Sequence, residues 1–318
     1  MAKDPTYKLN EEIATRLAFG HALRAVGSPC TYIVSLDAEV KNSTMAELFE
    51  DKFPDRFVQC FIAEQNMVGM AIGLERRGKI PFVSTFGAFF SRAYDQIRMA
   101  AIGTAHLRLV GSHAGVSIGQ DGPSQMALED IALMQALPQS IILYPSDAVS
   151  TYKLVNQMVE YNQGISYLRT TRSATPVIYS NHEEFPVGQC KTIRQSEQDQ
   201  ACVIGAGITL HEAIKAYNLL LQEGIAITVI DLYCVKPLPV EQLQKAAHAA
   251  RNILITVEDH YIQGGIGQAV CYGLRNSHIT IECLAVKELP RSGSPEDLLA
   301  WAHIDANAIV QTVKRLIS

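Results

Sequence analysis

CFIAEQNMVGMAIGLE, residues 60 to 75, is an almost unbroken apolar run with a carboxylate, Glu64, near its front. The run begins inside RFVQCFIA, which reads as a strand, and continues through QNMVGMAIGLE, which reads as a helix. Glu64 therefore sits where the carboxyl end of a strand turns into a helix, the edge along which open α/β sheets bind ligands. A helix N-terminus favours a carboxylate, whereas apolar neighbours such as Phe61, Met67 and Met70 desolvate it and favour its protonated form. The plain alternative is a glutamate that caps the helix or pairs with a cation.

Outward from this point the chain alternates short β-rich runs with longer helical segments, as βαβ units with parallel sheets do. TYIVSLD, RFVQCFIA, IPFVST, LRLVGSH, SIILYPS and ISYLRTT read as strands, and FSRAYDQIRMAAIGTA and DAVSTYKLVNQMVEY as amphipathic helices covering them. The composition then turns polar and gains prolines. A second series follows, with ACVIGAG, AITVIDL, NILITVED and TIECLAV as strands separated by three helical segments. The expected architecture is α/β with two doubly wound domains, residues 1–175 and a smaller 199–318, joined by a linker over 176–198.

Composition narrows the function. The 318 residues are 48% hydrophobic, enough for two cores, and the formal charge is only −5. The 27 Lys and Arg are scattered, so no basic stripe tracks a nucleic-acid backbone. Seven cysteines without a CxxC pair are expected to be reduced thiols of a cytoplasmic protein. The first residues are too polar for a signal peptide, and no apolar run approaches the roughly 18 residues of a membrane span.

Two further stretches carry chemistry-bearing residues. STFGAFFSRAYDQIR places Phe86 and Phe89 after a strand, where aromatic faces make a flat pocket or simply belong to the core. GSHAGVSIGQDGPSQMALED is a Gly-rich loop containing His113, Asp121 and Gln125, in which the glycines and Pro123 also shape turns. GAGITLHEA lacks a full dinucleotide fingerprint and reads as a tight turn. Glu258, Asp259 and His260 are consecutive on a strand end, an arrangement unsuited to converge on one metal, and no metal site is expected.

In this order IAEQNM, STFGAFFSRAYDQIRMAA, GSHAGVSIGQDGPSQMALED, YLRTTR, TVEDHYIQGGIGQAV and PRSG closely resemble transketolase, over essentially the whole chain but only over that family's pyrimidine-binding and C-terminal domains. The GDG motif of the diphosphate-binding domain does not occur here. The resemblance implies that Glu64 hydrogen-bonds N1′ of the aminopyrimidine ring of thiamine diphosphate, favouring the imino tautomer that deprotonates the thiazolium. It further implies that Phe86 and Phe89 line the ring pocket with Arg92 nearby. Arg16, Ser43, His113 and Arg172 then fall where the family binds sugar phosphate, and Asp121 where it contacts a substrate hydroxyl. Gln125 stands where yeast-like relatives carry histidine and animal-like ones glutamine, and Glu39 where aspartate is more usual.

By the same resemblance the chain is expected to be the C-terminal subunit of a split transketolase, transferring a two-carbon ketol unit between sugar phosphates. The diphosphate and its Mg2+ or Ca2+ would be held by a separate N-terminal subunit, with a homodimer of such pairs. Two other readings stay open. The beta subunit of a 2-oxoacid dehydrogenase's decarboxylating component shares the plan and a similar glutamate, although His113, Asp121 and Arg172 favour the sugar-phosphate enzyme. A non-catalytic paralogue is the third, against which the intact Glu64 and aromatic pocket argue.

Overall fold

In the computed structural model, which describes residues 5–318, the first strands display the two-residue alternation of a sheet covered on both faces. Ile33, Phe82, Val110 and Leu168 enter one apolar core, while their neighbours Val34, Val83, Leu109 and Tyr167 enter another. In chain order the strands are β1 (Glu12–Ala14), β2 (Ile33–Asp37), β3 (Phe57–Gln59), β4 (Ile80–Phe86), β5 (Arg108–Ser112), β6 (Ile141–Leu143) and β7 (Ser166–Arg169). They continue as β8 (Ala174–Pro176), β9 (Lys191–Arg194), β10 (Cys202–Gly205), β11 (Thr228–Asp231), β12 (Cys234–Lys236), β13 (Ile253–Tyr261) and β14 (Thr280–Val286).

Seven strands form the larger sheet in the order β12-β6-β7-β5-β4-β2-β3, parallel except for β12. The helices Thr15–Val26 and Ala148–Glu160 cover one face through Phe19, Leu23, Leu154 and Met158, and Glu64–Arg76 and Tyr94–Ile102 cover the other through Met67, Val68, Ile97 and Ala100. Phe19 and Phe82 are fully buried, and truncating either to alanine would cost about 3–5 kcal/mol. From β2 the chain steps to β3 on one side and returns to β4 on the other, so the strand order reverses between β2 and β4. The carboxyl ends of β2, β4 and β5 open there.

The smaller sheet runs β14-β13-β10-β11-β9, with β9 antiparallel on β11. Residues 176–198, expected as a plain connection, thus supply an edge strand of the second sheet, and β8, which runs into their first residue, pairs antiparallel with β1. β12 crosses in the opposite direction, leaving the second half to lie along β6 of the first sheet. Ser146 sits at the junction: its hydroxyl donates to Asp231 Oδ1 at 2.8 Å and accepts from the Gly207 amide at 2.9 Å, and its carbonyl lies 2.7 Å from His211 Nε2. Next to it, Asp147 caps the helix Ala148–Glu160 through Oδ1 and the Ser150 amide, while Oδ2 accepts the Ile178 and Tyr179 amides. One apolar cluster runs through both sheets, from Val83 and Ile142 to Ile204, Ile230 and Ile266.

Candidate active site at the carboxyl ends of the larger sheet

The strand RFVQCFIA is shorter than its composition predicts. β3 ends at Gln59, the Cys60 amide donates to the Asp37 carbonyl at 2.8 Å, and Phe61 takes a left-handed conformation with φ 52° that turns the chain into the helix beginning at Glu64. Phe61 points outward and is 66% exposed, so the expected desolvation of Glu64 by that ring does not occur; Met67 and Val68 are the buried neighbours. Glu64 itself is 4% exposed.

The segment after β4 is likewise not one continuous α-helix. Gly87–Ala93 winds as a 3₁₀ helix before the α-helix Tyr94–Ile102. Three residues per turn align positions three apart, and Phe86, Phe89 and Arg92 have that spacing. The Arg92 guanidinium lies 4.2 Å from the Phe89 ring centroid, and Phe89 stacks on Phe86 with centroids 5.0 Å apart and planes at 19°. Arg92 Nη1 also donates to Glu64 Oε1 at 2.5 Å, and Gln65 Nε2 donates to the Arg92 carbonyl at 3.0 Å. Among the described residues no hydrogen bond reaches Glu64 Oε2, which leaves one carboxylate oxygen for a ligand donor.

His113 joins the other end of this stack, its ring 3.7 Å from that of Phe86 at an angle of 14°. It follows β5 with φ 61°, a turn that lays the imidazole over Phe86, and Nδ1 is 2.6 Å from the Ser112 hydroxyl. Burial, then the charges of Arg16 and Arg172, push His113 down to about 3, so the ring is neutral near pH 7. Its Nε2 faces Asp121 Oδ2 at 3.9 Å, and Asp121 Oδ1 pairs with Arg172 Nη1 at 2.9 Å. Arg172 Nη1 also donates to the Ile118 carbonyl at 3.1 Å.

Arg16 donates through Nη1 to the Ser43 carbonyl at 2.9 Å, while its Nε is buried without a partner among the described residues. Burial and the nearby Arg172 charge lower the proton affinity of Arg16, and Asp121 partly restores it. Two guanidinium groups against one carboxylate leave a net positive locus with an unused donor, which suits an anion. Ser43 lies in a short helical turn, Lys41–Thr44, which is organised by Asp37: its Oδ1 accepts the Val40 amide and its Oδ2 the Thr44 hydroxyl, each at 2.7 Å. Burial pushes Asp37 up to about 7. Glu39 turns away to accept from Gln59 Nε2 at 2.8 Å.

The structure therefore gathers Glu64, Phe86, Phe89, Arg92 and His113 into one stack, and Arg16, Ser43, Asp121 and Arg172 into a charged cluster that His113 links to it. Gln125 stands apart: among the described residues its side chain makes no hydrogen bond or ion pair, and only its amide is held, by the Gly122 carbonyl at 3.1 Å. Asp37 and Ser112 also belong to the site, and in the sequence only position marks them, each being a polar residue at the last place of a buried strand. Glu258, Asp259 and His260 diverge. Glu258 accepts the Ile266 and Gly267 amides, Asp259 the Val116 and Ser117 amides, and His260 Nδ1 lies 2.6 Å from the Tyr261 carbonyl. Among the described residues no group of three His, Cys, Asp or Glu side chains is placed to hold a metal, and no helix is long and apolar enough to cross a membrane.

The pattern of the transketolase pyrimidine-binding domain matches residues 11–177, and that of the transketolase C-terminal domain matches 188–309. Transketolase of Rattus norvegicus is 49% identical over 320 aligned positions, covering 100% of this chain, and that of Homo sapiens is 49% identical over 99% of it. The chain spans about half the length of these relatives, 51% in each case. A solved structure described as a split gene transketolase, inactive beta4 tetramer, superposes with a TM-score of 0.86 at 34% identity, covering 96% of this chain and 99% of that one. Transketolase of Campylobacter jejuni shares the fold at 19% identity, with a TM-score of 0.84. With both domain patterns matched and a neighbour of 34% identity aligned almost end to end, the chain belongs to the transketolase family.

Proposed function

We propose that this chain supplies the pyrimidine-binding half of a thiamine-diphosphate-dependent transketolase site and is inert without a subunit carrying the other half. The observation that carries this reading is Glu64, a buried carboxylate at the open edge of the sheet with Oε2 unpaired among the described residues, joined through Arg92 to the Phe89 ring. These residues fit the aminopyrimidine ring: an oxygen to accept or share a proton at a ring nitrogen, and the aromatic side chains of Phe86 and Phe89 to line a pocket for a planar heterocycle. Thiamine diphosphate, when bound, supplies a carbon nucleophile for a ketose carbonyl. Arg92 holds Glu64 Oε1 and so fixes the direction in which Oε2 presents. Arg16 and Arg172 bind a substrate phosphate, and Asp121 accepts a substrate hydroxyl while His113, neutral, donates or accepts one hydrogen bond.

The diphosphate and its divalent cation, Mg2+ or Ca2+, belong to the partner in this reading, since the chain corresponds to only half of the family's length. The solved neighbour, a split gene transketolase described as inactive as a beta4 tetramer, supports both the division into subunits and the inertness of one kind alone. Homodimers of such pairs, in the cytoplasm, complete the proposal. The test is a coupled assay of ketol transfer from xylulose 5-phosphate to ribose 5-phosphate, with thiamine diphosphate and magnesium, on the chain alone and mixed with a diphosphate-binding subunit. Transfer only in the mixture is expected. Transfer by the chain alone overturns the division of the site, and silence of a mixture that forms a complex overturns the activity.

A further inference from the structure

The second half of the chain touches the candidate site through a carboxylate that belongs to neither of its clusters. Asp259, on β13, is fully buried; its Oδ1 accepts the Val116 amide at 2.7 Å and its Oδ2 the Ser117 amide at 3.3 Å. These amides open the 3₁₀ turn Val116–Asp121, which follows His113 and ends at Asp121. Gly115 leaves the room required. A Cβ there would fall 1.9 Å from Asp259 Oδ2, and its φ of +74° disfavours any side chain.

The grip is repeated at two further points. The Asp259 carbonyl and the Ala127 carbonyl accept from the same guanidinium nitrogen, Nη2 of buried Arg169, at 2.9 and 2.7 Å, and the Tyr261 amide donates to the Leu128 carbonyl at 3.1 Å. The tip of β13 is thus fastened to the loop at residues 116 and 117 and to the chain just beyond it at 127 and 128. The PRSG stretch closes on its middle: a Cβ at Gly119 would meet Gly293 and Pro295 at 3.2 Å, and one at Gly122 would meet the Ser292 hydroxyl at 2.7 Å. Asp121 lies between those two glycines.

We infer that the C-terminal half sets the geometry of substrate binding, with Asp259 as the positioning residue that holds the 113–122 loop so that His113 and Asp121 meet the substrate. The inference rests on the proposed transketolase reading for its kinetic consequence but not for its structural one. Asp259 touches no reacting group, so its loss acts on binding: an unheld loop weakens the substrate contacts of His113 and Asp121 and leaves the chemistry at Glu64 in place.

The test compares Asp259→Ala and Asp259→Asn with the native chain. In the full chain, amide hydrogen exchange over 113–122 is expected to quicken in Asp259→Ala, and less in Asp259→Asn, which keeps one acceptor oxygen. In the reconstituted complex, KM for the ketose phosphate is expected to rise roughly tenfold in Asp259→Ala while kcat changes by less than about threefold. A folded Asp259→Ala with native exchange over 113–122, or with kcat lost and KM unmoved, overturns the inference. Should Asp259→Ala fail to fold, Asp259→Asn decides by the same measurements. A native complex without ketol transfer refutes the proposed function, and the exchange comparison still decides whether Asp259 holds the loop.

Discussion

Glu64 has one oxygen against Arg92 and the other unpaired among the described residues, and this asymmetry makes its replacement by glutamine informative. Glu64→Gln keeps the size and a hydrogen-bonding end but removes the acid. In the reconstituted complex kcat should fall by at least about 100-fold, with thermal unfolding near native, because the loss is of proton handling rather than packing. Turnover within a few-fold of native would remove Glu64 from the chemistry. His113 gives a prediction of another kind. Its folded value, about 3, lies below its unfolded value of about 6.5, so it contributes stability that is complete above pH 6.5 and lost as pH falls toward 3. Urea unfolding should show His113→Gln losing part of the acid-side slope, up to about 1.4 kcal/mol per pH unit for one proton. An unchanged slope would mean that His113 titrates normally. The identity of both residues was legible in the sequence, whereas the stacking of His113 on Phe86 depends on a left-handed turn after β5 that composition does not announce.

Short irregular elements, rather than the long helices, aim the side chains. The 3₁₀ helix Gly87–Ala93 aligns Phe89 and Arg92, whose spacing matches its three-residue turn, with Phe86 at the end of β4 just before it. That spacing could be read in FGAFFSR, but only once the winding is known. The turn Lys41–Thr44 depends on Asp37 in a similar way, for without its carboxylate the Val40 amide and Thr44 hydroxyl lose their acceptor. Asp37→Ala is expected to cost about 1–3 kcal/mol in urea unfolding. The sign of its pH dependence follows from burial, which raises Asp37 from 3.8 to about 7. Its contribution is complete below pH 3.8 and declines as pH rises through about 7, so the loss in Asp37→Ala should be greater near about pH 5 than near about pH 8. An equal loss at both would show that the carboxyl is already ionised at the lower pH.

The two halves of the molecule exchange structure. β12 from the second half covers the β6 edge of the larger sheet, and Asp231 accepts from both Ser146 of the first half and Tyr179 of the connecting segment. A piece ending at residue 190 would expose the β6 edge and leave Ser146 and Tyr179 without that acceptor. Expressed alone, it should unfold at lower urea than the full chain and self-associate, since an uncovered strand edge pairs with other copies. Monomeric elution with a native midpoint would show that β12 adds nothing. Asp259 reaches Val116 across 143 positions and Asp231 reaches Ser146 across 85, so the site and the junction are products of the whole fold.

The sequence by itself determined the alternation of strands and helices, the α/β class and the place of Glu64 at a strand's carboxyl end. Those features rest on local periodicity, which any window of ten or so residues contains. Only the tertiary structure decided that β8, β9 and β12 are strands, that Phe61 turns outward, and that Asp259 holds the loop before Asp121. Three- and four-residue strands carry too little local preference to declare themselves, because their backbone hydrogen bonds and the burial of their side chains come from partners far away in the chain.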